Sequence, residues 1–145
     1  MVSIGYDGYE SRVAKIVEAA RMIAKGIRSI QGLKLLTPKP YMVVCFAAAS
    51  TDIDIYRVHD SMSASGWALN ELQSPASVHV CVTLSMVSKV AIFLRDLKTA
   101  VSQVRSEGTK GQSLGTAGIY GAVGSLPEGP VECVLNAFTD LTLAP

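Results

Sequence analysis

Apolar residues in the first thirty positions fall on one helical stripe. Val13, Ile16, Val17, Ala20, Ile23, Ala24, Ile27 and Ile30 are separated by steps of three and one, as on one face of a helix with 3.6 residues per turn. Arg12, Lys15, Arg21, Lys25 and Arg28 take the remaining faces. Asp7, with Glu10 three residues on, predicts an N-cap and its reciprocal partner. Gly32 predicts the position just past the helix end. A charge placed at Val17 is expected to unfold the unit, since it enters the apolar stripe. A short apolar run, Leu33 to Leu36, meets the turn Thr37-Pro38-Lys39-Pro40. Residues 41–48 are rich in β-branched and aromatic side chains and predict a buried strand.

The pattern then repeats. Asp52 predicts the cap of a second helix, with Ile55, Val58 and Met62 inward and Gly66 at its end. Residues 67–72 predict another strand, broken by Pro75. Residues 77–84 alternate: Val78, Val80, Val82 and Leu84 share one face, and Ser77, His79, Cys81 and Thr83 the other. Val87, Val90, Ala91, Leu94, Leu97, Val101 and Val104 mark a last helix, with Ser85 as its cap. The order helix-strand-strand-helix-strand-strand-helix predicts an α+β domain, an antiparallel sheet with helices on one face. The other sheet face is left for solvent or for a second body.

Composition narrows this picture. The 145 residues suit one domain with a real core. Hydrophobic residues at 49% and charged residues at 17% exclude disorder. A net charge of +1 argues against field-driven binding of nucleic acid. So few charges imply apolar surface awaiting a partner. Residues 1–105 carry five glycines and 12 basic against 8 acidic residues, whereas 106–145 carry seven glycines and a net charge of −3. We therefore expect a packed unit over 1–105 and a Gly-rich tail over 106–145, with a short terminal helix.

Conventional chemistry is sparse. Cys45, Cys81 and Cys133 form neither a disulfide framework nor a zinc ribbon. No signal peptide is visible at the N-terminus, and no run is long enough to span a bilayer. There is no P-loop, dinucleotide fingerprint or zinc-protease motif. His59 reads as half-buried packing and His79 as a structural histidine on a strand face. Asp52 and Asp54 suit helix capping better than paired catalysis.

Several blocks together resemble the C-terminal part of the sphingosine-1-phosphate lyases. They are D-I-Y-R at 54–57, S-G-W-A-L-N-E-L-Q at 65–73, P-A-S-V-H-V-C-V-T at 75–83, K-V-A-I-F-L-R-D-L at 89–97 and G-T-A-G-I-Y-G at 115–121. G-Y-E at 8–10 and A-A-R at 19–21 continue the series. The resemblance implies the small domain of a fold-type I enzyme dependent on pyridoxal phosphate (PLP). It implies retro-aldol cleavage of phosphorylated long-chain bases to phosphoethanolamine and a fatty aldehyde. It also implies a homodimer in the full-length form and, for eukaryotic members, a cytosol-facing place on the endoplasmic reticulum membrane.

The chain departs from that family in lacking its large domain. Lys15, Lys25, Lys34, Lys39, Lys89, Lys98 and Lys110 are its lysines; none follows a histidine as the family's Schiff-base lysine does. No catalytic, cofactor-binding or metal-binding residue is carried over, and the chain alone is expected to be inactive. It reads as a C-terminal piece whose partner is a large PLP domain, in the same chain or another. Tyr120, in the G-I-Y-G block, is a candidate wall of the substrate channel or a packing anchor for the tail. Phe138 either lines a route for the lipid chain or forms the buried face of the terminal helix. His79 faces away from Val78 and Val80 and is placed to meet the large domain. The alternative is a non-catalytic module that pairs with itself through the bare sheet face.

Overall fold

A computed structural model describes residues 4–108. Its elements are α1 (Gly5–Ser29), β1 (Leu33–Leu35), β2 (Val43–Ala48), α2 (Ile55–Ala64), β3 (Asn70–Gln73), β4 (Ala76–Cys81) and α3 (Val90–Glu107). A 3-10 turn, Leu84–Lys89, leads into α3. The predicted α+β order holds, and the strands form one antiparallel sheet in the order β1-β2-β4-β3. β4 therefore lies between β2 and β3, the two strands that α2 connects.

The stripe of α1 is buried only in its second half. Ala20, Ile23 and Ile27 are fully enclosed, whereas Val13, Ile16 and Val17 are half-buried and Tyr6 and Tyr9 stand exposed. The helix reaches past the part of the domain that covers it. A charge at Val17 therefore sits at the margin of the core and costs less than the sequence pattern implies. The helix starts at Gly5 without a side-chain cap, so Asp7 lies in the first turn instead of capping it. There its charge still complements the positive end of the helix.

Gly32 has φ +97°, and a Cβ there would meet Ile53 and Arg105. The turn thus favours glycine for its backbone, and a side chain there would also displace the ends of the Ile53 and Arg105 side chains. Its carbonyl accepts the Ala49 N–H at 2.8 Å, holding the turn to the end of β2.

Two Asp residues precede α2, and the cap is Asp54, not Asp52. Asp54 has an extended backbone, and its Oδ1 accepts the Tyr56 N–H at 2.9 Å. Asp52 instead accepts from Arg105 Nε at 3.0 Å, tying the chain before α2 to the end of α3. The predicted fourth strand stops at Cys81. Leu84 turns into the 3-10 segment and is exposed, and Ser85 bonds Thr83 at 2.9 Å rather than capping α3. In α3 the buried face is Val90, Phe93, Leu97, Ala100, Val101 and Val104, while Ala91 is exposed.

All three helices share one face of the sheet. Val44 and Phe46 from β2 and Val78 and Val80 from β4 point under them, each 0–1% exposed. Trp67 bridges the helical layer: its ring meets Phe93 edge-on with centroids 5.1 Å apart, and its indole N–H donates to Asp96 at 3.0 Å. No helix among the described residues is long and apolar enough to cross a membrane.

Candidate functional site

Strand alternation puts every second residue of the sheet on the face that no helix among the described residues covers, called the uncovered face below. Register then decides which of them meet. Cys45 of β2 lies opposite His79 of β4, and His79 lies opposite Asn70 of β3. Cys45, His79 and Asn70 thus form one row across three strands. Val43 pairs with Cys81 on one side of this row and Leu72 with Ser77 on the other. Val43, Cys81, Asn70 and Leu72 are exposed, and Cys45 and His79 half-buried. Tyr41 and Met42, just before β2, are exposed as well.

His79 is the unusual member. Its Nδ1 is enclosed by protein, yet among the described residues no hydrogen-bond partner reaches it. Buried polar atoms nearly always find a partner, so an orphan in a half-covered side chain marks an incomplete environment. On the same face lie Cys45, Val43, Cys81, Asn70 and Leu72, with Ala47 and Ser77 buried and Lys34 exposed on β1. No group of His, Cys, Asp or Glu among the described residues has the arrangement to hold a metal. Lys34 is the face's one charged strand residue among those described, so covering the part of the face around His79 buries little charge.

The other histidine belongs to a different construction. His59 is buried between α2 and β3: Nδ1 lies 3.0 Å from Glu71 and 3.3 Å from Asp60, and Nε2 lies 3.3 Å from both the Leu69 carbonyl and the Ser63 hydroxyl. The ring pins the end of the helix to the edge strand, a structural role fuller than the packing its sequence context suggests. The Tyr56 hydroxyl reinforces the same junction by donating to the Leu72 carbonyl at 2.9 Å.

Two carboxyls are perturbed. Asp52 is held below the usual carboxylate range, chiefly by hydrogen bonding from the Ser50 side chain, with Arg105 adding to it. Asp96 is lowered chiefly by the Trp67 indole, then by Arg95. Both serve packing between elements and lie away from the uncovered face.

Of the three residues singled out from the sequence, His79 stands on the uncovered face as expected. Tyr120 and Phe138 lie outside the described residues. Cys45 and Asn70 were not singled out. Only strand register, a long-range quantity, sets them beside His79.

Comparison with known proteins gives one answer. The chain is 38% identical to the sphingosine-1-phosphate lyase of Dictyostelium discoideum over a 146-residue alignment, covering 100% of this chain and 27% of that protein. It is 40% identical to the lyase of the same name from Arabidopsis thaliana over 141 residues, covering 97% of this chain and 25% of that protein. Among solved structures, the sphingosine-1-phosphate lyase of Burkholderia pseudomallei superposes with a TM-score of 0.74 at 26% identity, over 100% of this chain and 28% of that one. The cystine C–S lyase C-DES, solved with glycine covalently linked to its PLP cofactor, shares the fold at a TM-score of 0.51 and 17% identity, over 61% of this chain and 24% of that one. No family model matches the sequence. The chain spans about a quarter of the length of the curated relatives it matches.

Proposed function

We propose that this chain, which belongs to the sphingosine-1-phosphate lyase family over its length, is the C-terminal small domain of a PLP-dependent lyase. It would act only with the large domain that bears the cofactor. Residues 1–105 are the packed domain and 106–145 its tail. In the assembled enzyme PLP supplies an electron sink for breaking a carbon–carbon bond. The substrate would be a phosphorylated long-chain base, cleaved to phosphoethanolamine and a fatty aldehyde. The full-length form would be a homodimer, and a eukaryotic one would work at the cytosolic side of the endoplasmic reticulum membrane.

The described residues do not by themselves fit PLP. A Schiff-base lysine must be enclosed with its cofactor, and all six described lysines are exposed. The uncovered sheet face is this chain's contribution. Cys45, His79 and Asn70 would dock against the large domain, and that contact would supply the missing partner of His79 Nδ1. Tyr120 and Phe138 are proposed for the channel wall.

The observation that carries this reading is the match of the whole chain to a quarter of each lyase. Its test is reconstitution. Co-expressed with a large domain of the family, the chain should yield an assembly with PLP absorbance that releases aldehyde from sphingosine 1-phosphate. The chain alone should do neither. A PLP-binding assembly without aldehyde release removes the substrate assignment. A chain that ignores the large domain but forms a stable homodimer through the uncovered face establishes the non-catalytic module instead.

A further inference from the structure

We infer that the cleft between α1 and the loop joining β1 to β2 binds a phosphate-bearing anion. The inference does not depend on the lyase reading. Arg21, Ala24 and Arg28 lie along one line of α1, at steps of three and four. Opposite them stand Pro38, Lys39 and Tyr41, and together these side chains line a cavity of about 340 Å³. The lining holds three cations and no carboxylate.

None of the three cations has an ion-pair partner among the described residues. The ion pairs among the described residues use Arg57, His59, Arg95 and Arg105, not Arg21, Arg28 or Lys39. Arg28 is nonetheless held in place: its Nη2 donates to the Pro38 carbonyl at 3.1 Å. That bond leaves other guanidinium N–H groups to point at a ligand. Pro38 and Pro40 fix the backbone of the loop that presents Lys39 and Tyr41. Three like charges around one cavity repel one another, and a dianion among them converts that repulsion into charge-assisted hydrogen bonds. The Tyr41 hydroxyl adds a neutral donor.

Two other cavities show the contrast. The one beside Gly32 contains Arg105, but Asp52 lies in the same lining and already pairs with it at 3.0 Å. The one along α3 offers a single cation, Lys98, among Thr99, Ser102 and Gln103. Of these three cavities among the described residues, the cleft beside α1 alone combines several cations outside ion pairs with a fixed guanidinium. The ligand chemistry is a phosphate monoester, on a soluble molecule or on a lipid headgroup.

The test titrates the isotope-labelled 145-residue chain with inorganic phosphate at constant ionic strength, read by amide NMR. Saturable shifts are expected at Arg21, Arg28, Lys39 and Tyr41. Arg21→Gln and Lys39→Gln, which remove no side-chain hydrogen bond or ion pair of the described residues, should each weaken binding about two- to fivefold, the effect of one exposed charge pair. The double variant should abolish saturation. Absence of saturable shifts, equal shifts at Arg12, Lys15 and Lys98, or an unchanged double variant would each overturn the inference. In the full-length protein, protection of Lys39 from acetylation by phosphate reads the same site and must be lost in Arg21→Gln. Co-sedimentation with phosphatidic acid vesicles separates the sources. Sedimentation that the double variant loses assigns the lipid headgroup. Phosphate binding without such sedimentation assigns a soluble phosphate ester.

Discussion

The two faces of the sheet are built from neighbouring residues of the same strands and differ in almost everything else. Phe46 and Val44 point under the helices and are 0% exposed; Cys45 and Val43, their neighbours in sequence, look outward and are half-buried and exposed. One face has its core. The other carries Val43, Cys45 and Leu72 beside Lys34, Asn70 and His79, whose Nδ1 has no hydrogen-bond partner among the described residues. The contrast separates the face that the three helices bury from the face that no helix among the described residues covers.

The largest expected effect lies on the covered face. Phe46→Ala should cost about 3–5 kcal/mol in chemical denaturation, since it opens a cavity in a fully packed site. Cys45→Ala, one residue away, should cost under about 1 kcal/mol in the isolated chain, because a half-covered side chain loses few contacts. Equal losses at the two positions would remove the distinction between the faces. The same comparison runs along α1. Ile23→Asp should unfold the domain, whereas Val17→Asp should leave a cooperative thermal transition at lower temperature.

An intermediate effect is expected at Gly32. Gly32→Ala should lower stability by about 1–3 kcal/mol, because φ is positive and a Cβ would press on Ile53 and Arg105. Arg105→Ala beside it should relieve part of the crowding, so the double variant should lose less than the sum.

The smallest effect is electrostatic. The pKa of Asp96 is depressed in the folded chain, so its contribution is present at neutral pH. That contribution is lost as pH falls through the folded-state value, below the usual carboxylate range. Trp67 is the only tryptophan, so its fluorescence should report an acid step as its bond to Asp96 weakens. Asp96→Asn should abolish that step. A step that survives the substitution would assign the signal to general acid unfolding.

Much of this architecture is legible in the sequence because it is periodic. The stripes of the three helices and the alternation of 77–82 follow from local spacing, and their order gives the sheet-and-helix class. What escaped is set at longer range. Asp52 and Asp54 are equivalent as letters, and Arg105, 53 residues away, claims Asp52 and leaves Asp54 to cap α2. Phe93 takes the place of Ala91 in the core: both lie in α3, whose buried face runs through Val90, Phe93, Leu97 and Val101. His79 could be placed on the outer face by alternation alone. Its neighbours Cys45 and Asn70 could not, since they depend on the pairing of β2 and β3 with β4.

The most direct test of the uncovered face is the labelling rate of its two thiols. Cys45 and Cys81 would be reacted with a maleimide in the chain alone and in its assembly with the large domain, with peptide mapping to separate them. The account predicts that assembly slows both strongly while acetylation of Lys98, on the helical side, is unchanged. Unchanged rates at both cysteines in an assembly that carries PLP would show that the large domain sits elsewhere and would contradict the account.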